Sequence, residues 1–295
     1  MKRKAAIVAV VGRPSAGKST FLNAACGHKV SIVSPVPQTT RNRVRGIVTT
    51  NRGQIAFIDT PGFHRSERRL NLRLRELVTD TIDQAELVLY IVDTSRPVGP
   101  EEEELAGIVA GSGYPTVIAL NKIDVQGADA AGSRDRLAAV LPETRFCSTV
   151  LAGPDPQGLD QVLDHLFDLA PDGEDMYPAE IYTDQEPRFR VAEIIREAAI
   201  SRARKELPHS IYVDVADMEV DEENGRLWIR AFVVVERESQ KGIVVGKGGT
   251  GIRDIRKGAQ RELGRLFPYR IELDLRVKSH PNWSKNESVL KRLVD

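Results

Sequence analysis

The sequence predicts an α/β domain built on a mostly parallel sheet, followed by a separate α+β domain. Three observations carry this. Over residues 1–170, short near-continuous apolar runs alternate with helical stretches, as in strands covered by helices on both faces. From residue 188 the period changes to a helix, two alternating strands, two helices and a last strand, in the order α-β-β-α-α-β. Between them the stretch Ala170 to Pro187, with Pro-Asp-Gly-Glu-Asp and scattered Pro and Asp, has the composition of a linker. The expected division is 1–172, a linker at 173–187, and 188–295.

The first domain begins with Met-Lys-Arg-Lys and then Ala5–Val11. A basic start before an apolar run can mark a signal peptide, but this run is short and enters a glycine loop, which suits a buried strand. Lys18–Ala25 and Leu70–Gln84 read as helices; Gln54–Ile58, Leu87–Val92, Thr116–Leu120 and Thr144–Cys147 read as strands. In the second domain Arg188–Lys205 is an amphipathic helix with Val191, Ile194, Ile195, Ala198 and Ala199 on its apolar side. Ile211, Val213 and Val215 alternate with polar or small residues. After a turn at Asn224-Gly225, so do Leu227, Ile229, Ala231, Val233 and Val235. A short helix leads to Gly246-Lys247-Gly248-Gly249, a second helix runs from about Thr250 to Leu263, and Ile271, Leu273, Leu275 and Val277 mark the last strand.

Composition narrows the class. With 41% apolar and 28% charged residues, the 295-residue chain reads as an ordinary globular protein. Cys26 and Cys147, its two cysteines, cannot build a disulfide framework or a zinc cluster, so free thiols and a cytoplasmic location are expected. No apolar run approaches the roughly 20 residues of a membrane span. The zero net charge hides an uneven distribution: residues 171–238 carry 9 basic and 17 acidic groups, residues 239–295 carry 13 and 6. A charged segment is ordinarily a solvated surface. It points to nucleic acid when a binding motif lies in the same stretch.

Gly12-Arg13-Pro14-Ser15-Ala16-Gly17-Lys18-Ser19, followed by Thr20, satisfies G-x-x-x-x-G-K-[ST] between a strand and a helix. Its glycines let backbone N–H groups curl toward phosphate oxygens, and the helix N-terminus adds positive potential. Lys18 is expected at the β- and γ-phosphates and the Ser19 hydroxyl on Mg²⁺. Asp59-Thr60-Pro61-Gly62 ends a strand; Asp59 is expected to hold Mg²⁺ and the Gly62 N–H to sense the γ-phosphate. Asn121-Lys122-Ile123-Asp124 follows another strand. The Asp124 carboxylate can accept from guanine N1–H and the 2-amino group, two donors that adenine lacks, so adenine would leave it unpaired. Asn121 supports the loop and the base, and the Lys122 stem can pack on the ring. Thr39-Thr40-Arg41 suits a mobile loop in which Thr40 closes on Mg²⁺ and the γ-phosphate. Ser148-Thr149 is placed after the last strand, where a backbone N–H reaches the guanine oxygen. Lys18, Thr40 and Gly62 are thus the expected catalytic groups. Many such enzymes orient the attacking water with a glutamine after Asp-x-x-Gly; here the position is Phe63. Slow intrinsic turnover, raised by a partner, is the consequence.

Gly246-Lys247-Gly248-Gly249, set between two helices of an α-β-β-α-α-β unit, is the arrangement of a KH domain. A lone Gly-x-x-Gly is ordinarily a tight turn. Here the loop, the element order and the basic segment coincide. Lys241, Lys247, Arg253 and Arg256 would supply charge to a single-stranded nucleic-acid backbone.

With these motifs in place, the chain resembles the Era-type GTPases, bacterial ribosome-assembly factors, over nearly its whole length. The resemblance rests on Gly12–Thr20, Gln38–Arg41, Asp59–Gly62, Asn121–Asp124, Arg188–Glu197, Lys241–Ile255, the segment from Val277-Lys278 to Trp283, and Lys291-Arg292. It implies an α/β Ras-like P-loop GTPase domain followed by an α+β type II KH domain. It also implies GTP hydrolysis with Mg²⁺, binding to the 3′ end of small-subunit (16S) ribosomal RNA, and a role in 30S subunit maturation, with peripheral inner-membrane association reported in the family. Phe63 agrees with the family pattern. Ser15 departs from it: the usual asparagine there is tied to K⁺-assisted hydrolysis in related GTPases, so K⁺ is raised as a second cofactor by the resemblance but not by this residue. The other classes to separate are a signalling or cell-cycle switch acting on protein or membrane, and a GTPase component of a tRNA-modifying enzyme, for which a C-terminal cysteine is lacking. A monomer is the default.

Overall fold

The structure is a computed structural model describing residues 2–34, 42–63, 69–202, 210–283, 286 and 289. Two compact units divide after Asp184; residues 32–34 group with the second.

In the first unit the order is β1 (Lys4–Val11), α1 (Lys18–Cys26), β2 (Val44–Thr50), β3 (Gly53–Asp59), α2 (Arg69–Asp83), β4 (Leu87–Asp93), α3 (Pro100–Ser112), β5 (Thr116–Asn121), α4 (Ala130–Val140), β6 (Arg145–Thr149) and α5 (Leu159–Leu169). The sheet runs β2-β3-β1-β4-β5-β6, parallel except for β2, which is antiparallel to β3. β3 and β4 are buried at every position, which explains their unbroken apolar runs. Strand order reverses on either side of β1, so the carboxyl end of β1 opens at the topological switch point, where ligands of such sheets bind.

β2 was not among the expected strands. Its polar Arg45, Thr49 and Thr50 blur any period, and only pairing with β3 makes it a strand. The expected linker is anchored at its start: Tyr182 O accepts from Ile47 N (2.9 Å), and Gln54 Oε1 accepts from Met176 N and Tyr177 N (2.8 and 2.9 Å).

In the second unit the order is α6 (Pro187–Ile200), β7 (Tyr212–Asp221), β8 (Arg226–Val235), α7 (Glu238–Val245), a 3-10 turn at Lys247–Gly249, α8 (Thr250–Leu266) and β9 (Arg270–Ser279), which is the expected α-β-β-α-α-β. β8 is central, antiparallel to β7 and parallel to β9. α6 begins at Pro187, whose missing N–H costs nothing at a helix start. It ends earlier than Lys205, where Ser201 and Arg202 donate back to Glu197 and Ala199. Arg188 braces the irregularity between Val215 and Asp217 by donating to Val215 O and Ala216 O. Val191, Ile195, Ile229, Ala231, Val233, Ala259 and Leu263 make one core between helices and sheet. On the opposite sheet face Tyr212 and Val234 pack with Trp283, whose Nε1 donates to Ser210 O at 3.1 Å. Among the described residues no helix is long and apolar enough to cross a membrane.

Ile229 is fully buried on the central strand, so Ile229→Ala should cost about 3 kcal/mol of the second unit's stability in urea unfolding while GTP affinity stays unchanged.

Candidate nucleotide site and nucleic-acid interface

The loop between β1 and α1 curls because Gly12 and Gly17 cannot hold a side chain in this backbone; at Gly12, φ 154°, a Cβ would lie 2.3 Å from Ile91 O. Gly17 sits at φ 113°, and a Cβ there would lie 2.3 Å from Asn121 Nδ2. Ser15 takes φ 63°, a left-handed conformation that a non-glycine residue adopts at a cost. Lys18, 6% exposed, folds back into the loop and donates to Gly12 O and Arg13 O at 2.9 and 3.0 Å. Burial pushes its pKa down to about 8, against the pull of Asp59 and Glu102. Ala16 is buried, Pro14 is buried, and Thr20 is half-buried in the first turn of α1.

Asp59 ends β3 beside this loop. Ser19 Oγ donates to its Oδ2 at 2.7 Å and Ser31 Oγ at 3.0 Å. Burial raises its pKa, although Lys18 and the two hydroxyls work in the other direction. Its Oδ1 is buried with no hydrogen-bond partner among the described residues. A buried carboxylate oxygen without a donor, flanked by a serine hydroxyl, suits a hard divalent cation such as Mg²⁺. Ser31 was not read from the sequence; only the fold brings it to Asp59. Thr60 Oγ1 donates to Val10 O (2.7 Å) and Phe63 N to Gly12 O (3.1 Å), so the Asp59–Gly62 loop is fastened to β1 and to the phosphate loop. Gly62 lies against Pro14, where a Cβ would be 2.6 Å from Pro14 Cα. The Phe63 side chain, 1% exposed, enters the core with Val11, Val78 and Tyr90. Thr39, Thr40 and the rest of Gln38–Arg41 lie outside the described residues.

Asn121, the last residue of β5, joins three segments. Its Nδ2 donates to Ala16 O (2.8 Å), and its Oδ1 accepts from Thr149 Oγ1 and Leu151 N (3.2 Å each). Lys122 takes φ 65° and donates to Asp93 Oδ2 at 2.7 Å. Burial works against the Asp93 charge, yet Lys122 and Ser95 hold its pKa below the ordinary value. Asp124 is exposed at the loop. Ser148 and Thr149 differ from expectation in one respect: both belong to β6, because its pairing with β5 extends to Asn121↔Thr149. Ser148 is exposed, while Thr149 and Leu151 face Asn121. Asp93 and Leu151 were missed because neither belongs to a short motif.

In the second unit, α7 and α8 meet at the Lys247–Gly249 turn, with Gly248 and Gly249 at φ 61° and 75°. Lys247, Arg253 and Arg256 are exposed, and Ile243 on α7 is 65% exposed. Lys241 is half-buried and paired with Glu238 at 3.2 Å, so its charge is partly committed.

The family described as "50S ribosome-binding GTPase" matches residues 7–122, and that described as "KH domain" matches residues 206–284. A protein named GTPase Era from Treponema denticola is 45% identical over 97% of this chain and 98% of its own length. Its namesake from Treponema pallidum (strain Nichols) is 47% identical over 97% and 95%, and that from Borreliella burgdorferi (strain ZS7) 41% over 99% and 100%. Two solved structures superpose with TM-scores of 0.92 at 32% identity, covering 99% of this chain and 98% of theirs. One is a single-substitution variant of Aquifex aeolicus Era bound to GDP·AlF4⁻; the other is Era in complex with MgGDPNP and nucleotides 1506–1542 of 16S ribosomal RNA. The phosphate loop and the Gly246–Gly249 turn thus lie in a Ras-like P-loop GTPase domain and a C-terminal KH domain, and this chain, a GTPase, belongs to the Era family.

Proposed function

We propose that this GTPase is a nucleotide-controlled binder of small-subunit ribosomal RNA near its 3′ end, acting in 30S subunit maturation. The single observation that carries this is the exposed basic turn around Lys247 in a KH unit on the same chain as a guanine-nucleotide site. The Era structure holding nucleotides 1506–1542 of 16S ribosomal RNA supports the choice of RNA. Binding uses Gly246–Gly249 against the RNA backbone, with Lys247, Arg253 and Arg256 meeting phosphates and Lys241 helping once freed from Glu238.

At the nucleotide, backbone N–H groups of Gly12–Ser19 and the Lys18 ammonium bind the phosphates, with Thr20 in the same helix turn. Ser19 and Asp59 would hold Mg²⁺, in keeping with an Asp59 Oδ1 that has no donor among the described residues. Bound there, the ion offsets charge on the β- and γ-phosphates. Thr40 completes this set from its loop, and the Gly62 N–H meets the γ-phosphate. Asp124 reads guanine, Asn121 holds that loop against Ala16, and Thr149 and Leu151 close its far side. With Phe63 turned into the core, no polar side chain at that position orients the attacking water, so turnover is slow without a partner. Ser15 offers a short hydroxyl where K⁺-assisted relatives carry an asparagine, and the mechanism is written without K⁺. The domain limits are proposed as 1–172 and 188–295 with 173–187 between them, and the working location as the cytoplasm. Peripheral membrane contact and a signalling role remain the alternative.

Lys247→Glu should weaken binding to a 16S 3′-end RNA oligonucleotide and flatten its salt dependence by about one unit of slope while sparing GTP affinity. Unchanged RNA binding in a filter assay would favour the protein- or membrane-directed reading.

Asp124→Asn should shift preference from GTP toward xanthosine triphosphate, because the amide donates to the extra xanthine oxygen. Competition binding with the two triphosphates measures it, and unchanged specificity would remove Asp124 from its role.

Lys18 supplies a pH signature. Its folded pKa is about 8 without nucleotide and must rise when phosphates bind, so binding takes up a proton above that pH and affinity falls as pH rises further. Calorimetry in buffers of different ionisation heat reads the uptake, which Lys18→Arg should abolish.

A further inference from the structure

The second residue of the phosphate loop directs its side chain to α3. Arg13 is 8% exposed. Nε pairs with Glu102 Oε2, and Nη1 approaches Pro97 O at 3.5 Å. Glu102 lies in the first turn of α3 and is fully buried. Its other oxygen accepts from Tyr90 Oη at 2.6 Å, and Tyr90 is itself fully buried in the middle of β4. Glu103 beside it is exposed and Glu101 half-buried, in keeping with acids at a helix N-terminus. Of the three, Glu102 alone is fully buried, where an ion pair gains little stability over an apolar pair of the same volume.

The backbone that Arg13 anchors is the strip on which both halves of the phosphate site rest. Lys18 Nζ is held by Gly12 O and Arg13 O, Phe63 N by Gly12 O, and Gly62 abuts Pro14. A shift of Gly12–Pro14 would therefore displace Lys18 and Gly62 together.

We infer that Glu102 is a positioning residue for GTP hydrolysis: through Arg13 it fixes the Gly12–Pro14 backbone, and with it the placement of Lys18 and Gly62 against the γ-phosphate. Tyr90 fixes the carboxylate in turn. The inference rests on the assignment of Lys18 and Gly62 proposed above and is independent of RNA.

The test compares Glu102→Gln, Glu102→Asp and the double variant Arg13→Met/Glu102→Met in the full chain, by steady-state hydrolysis of GTP, GDP affinity and thermal midpoint. Glu102→Gln should lower kcat by about tenfold to a hundredfold, the scale of loss from small misplacements, with KM and GDP affinity nearly unchanged. Glu102→Asp, which keeps the charge, should recover most of that loss. The double variant should regain the thermal midpoint, because no buried charge is left without a partner, yet keep the low kcat. Wild-type kcat in folded Glu102→Gln, or a double variant whose kcat returns along with its midpoint, would overturn the inference and leave the pair a purely structural role. If Glu102→Gln does not fold, the Asp and double variants carry the same comparison. A Lys18→Ala control separates the two layers: wild-type kcat there would overturn the phosphate-loop assignment itself, and the inference with it.

Discussion

A phosphate loop has no regular secondary structure of its own, so its shape must be imposed from outside. In this chain the Asn121 side chain does most of that. Its amide nitrogen holds Ala16 O while its oxygen collects Thr149 Oγ1 and Leu151 N, so one residue at the end of β5 joins the phosphate loop to the far end of the sheet. The fit is close enough that Gly17 has no room for a Cβ against the same amide. A buried amide using both its donor and its acceptor is stable only as a complete network, which ties the Asn121–Asp124 loop and the phosphate loop to one geometry.

Around this joint the site is built from charges taken out of water. Lys18 and Asp59 are both buried, and burial works against the charged form of each. Among the described residues they are satisfied incompletely: Lys18 falls back on loop carbonyls, and Asp59 Oδ1 has no donor. Such an arrangement costs stability, and on the proposed assignment phosphates and a divalent ion compensate it; unsatisfied buried polar groups are common at binding sites for this reason. The fold can hold these groups because fully buried strands and the core around Tyr90, Val11 and Phe63 leave the loop little freedom to collapse.

The second unit follows a different rule. Its core lies between the β7-β8-β9 sheet and the helices α6 and α8, and the surface proposed for RNA is the turn between α7 and α8. That turn needs only a short backbone and outward charge. Lys247, Arg253 and Arg256 stay exposed, whereas Lys241 is drawn to Glu238 one helical turn away. An electrostatic surface for a polyanion depends on how many cations remain uncommitted, not on how many the sequence contains.

The sequence by itself determined the parallel sheet, the α-β-β-α-α-β order, the phosphate loop, Asp59 and the Asn121–Asp124 loop. Each of these is a local pattern: burial on both faces forces unbroken apolar runs, and phosphate and base contacts need fixed residue types at short spacing. Tertiary structure decided the rest. β2 exists through its partner β3, Ser148 and Thr149 belong to β6 because pairing extends to Asn121, and Ser31 reaches Asp59 across 28 positions. Asp93, Leu151, Tyr90 and Glu102 gain their partners only from segments distant in the chain, and Glu102 in particular has the sequence of any acid at the start of a helix, yet is buried against Arg13 and Tyr90. The physical reason is range: backbone propensity and ligand motifs act over a few residues, whereas burial and the partners of a buried charge are set by segments far apart in the chain.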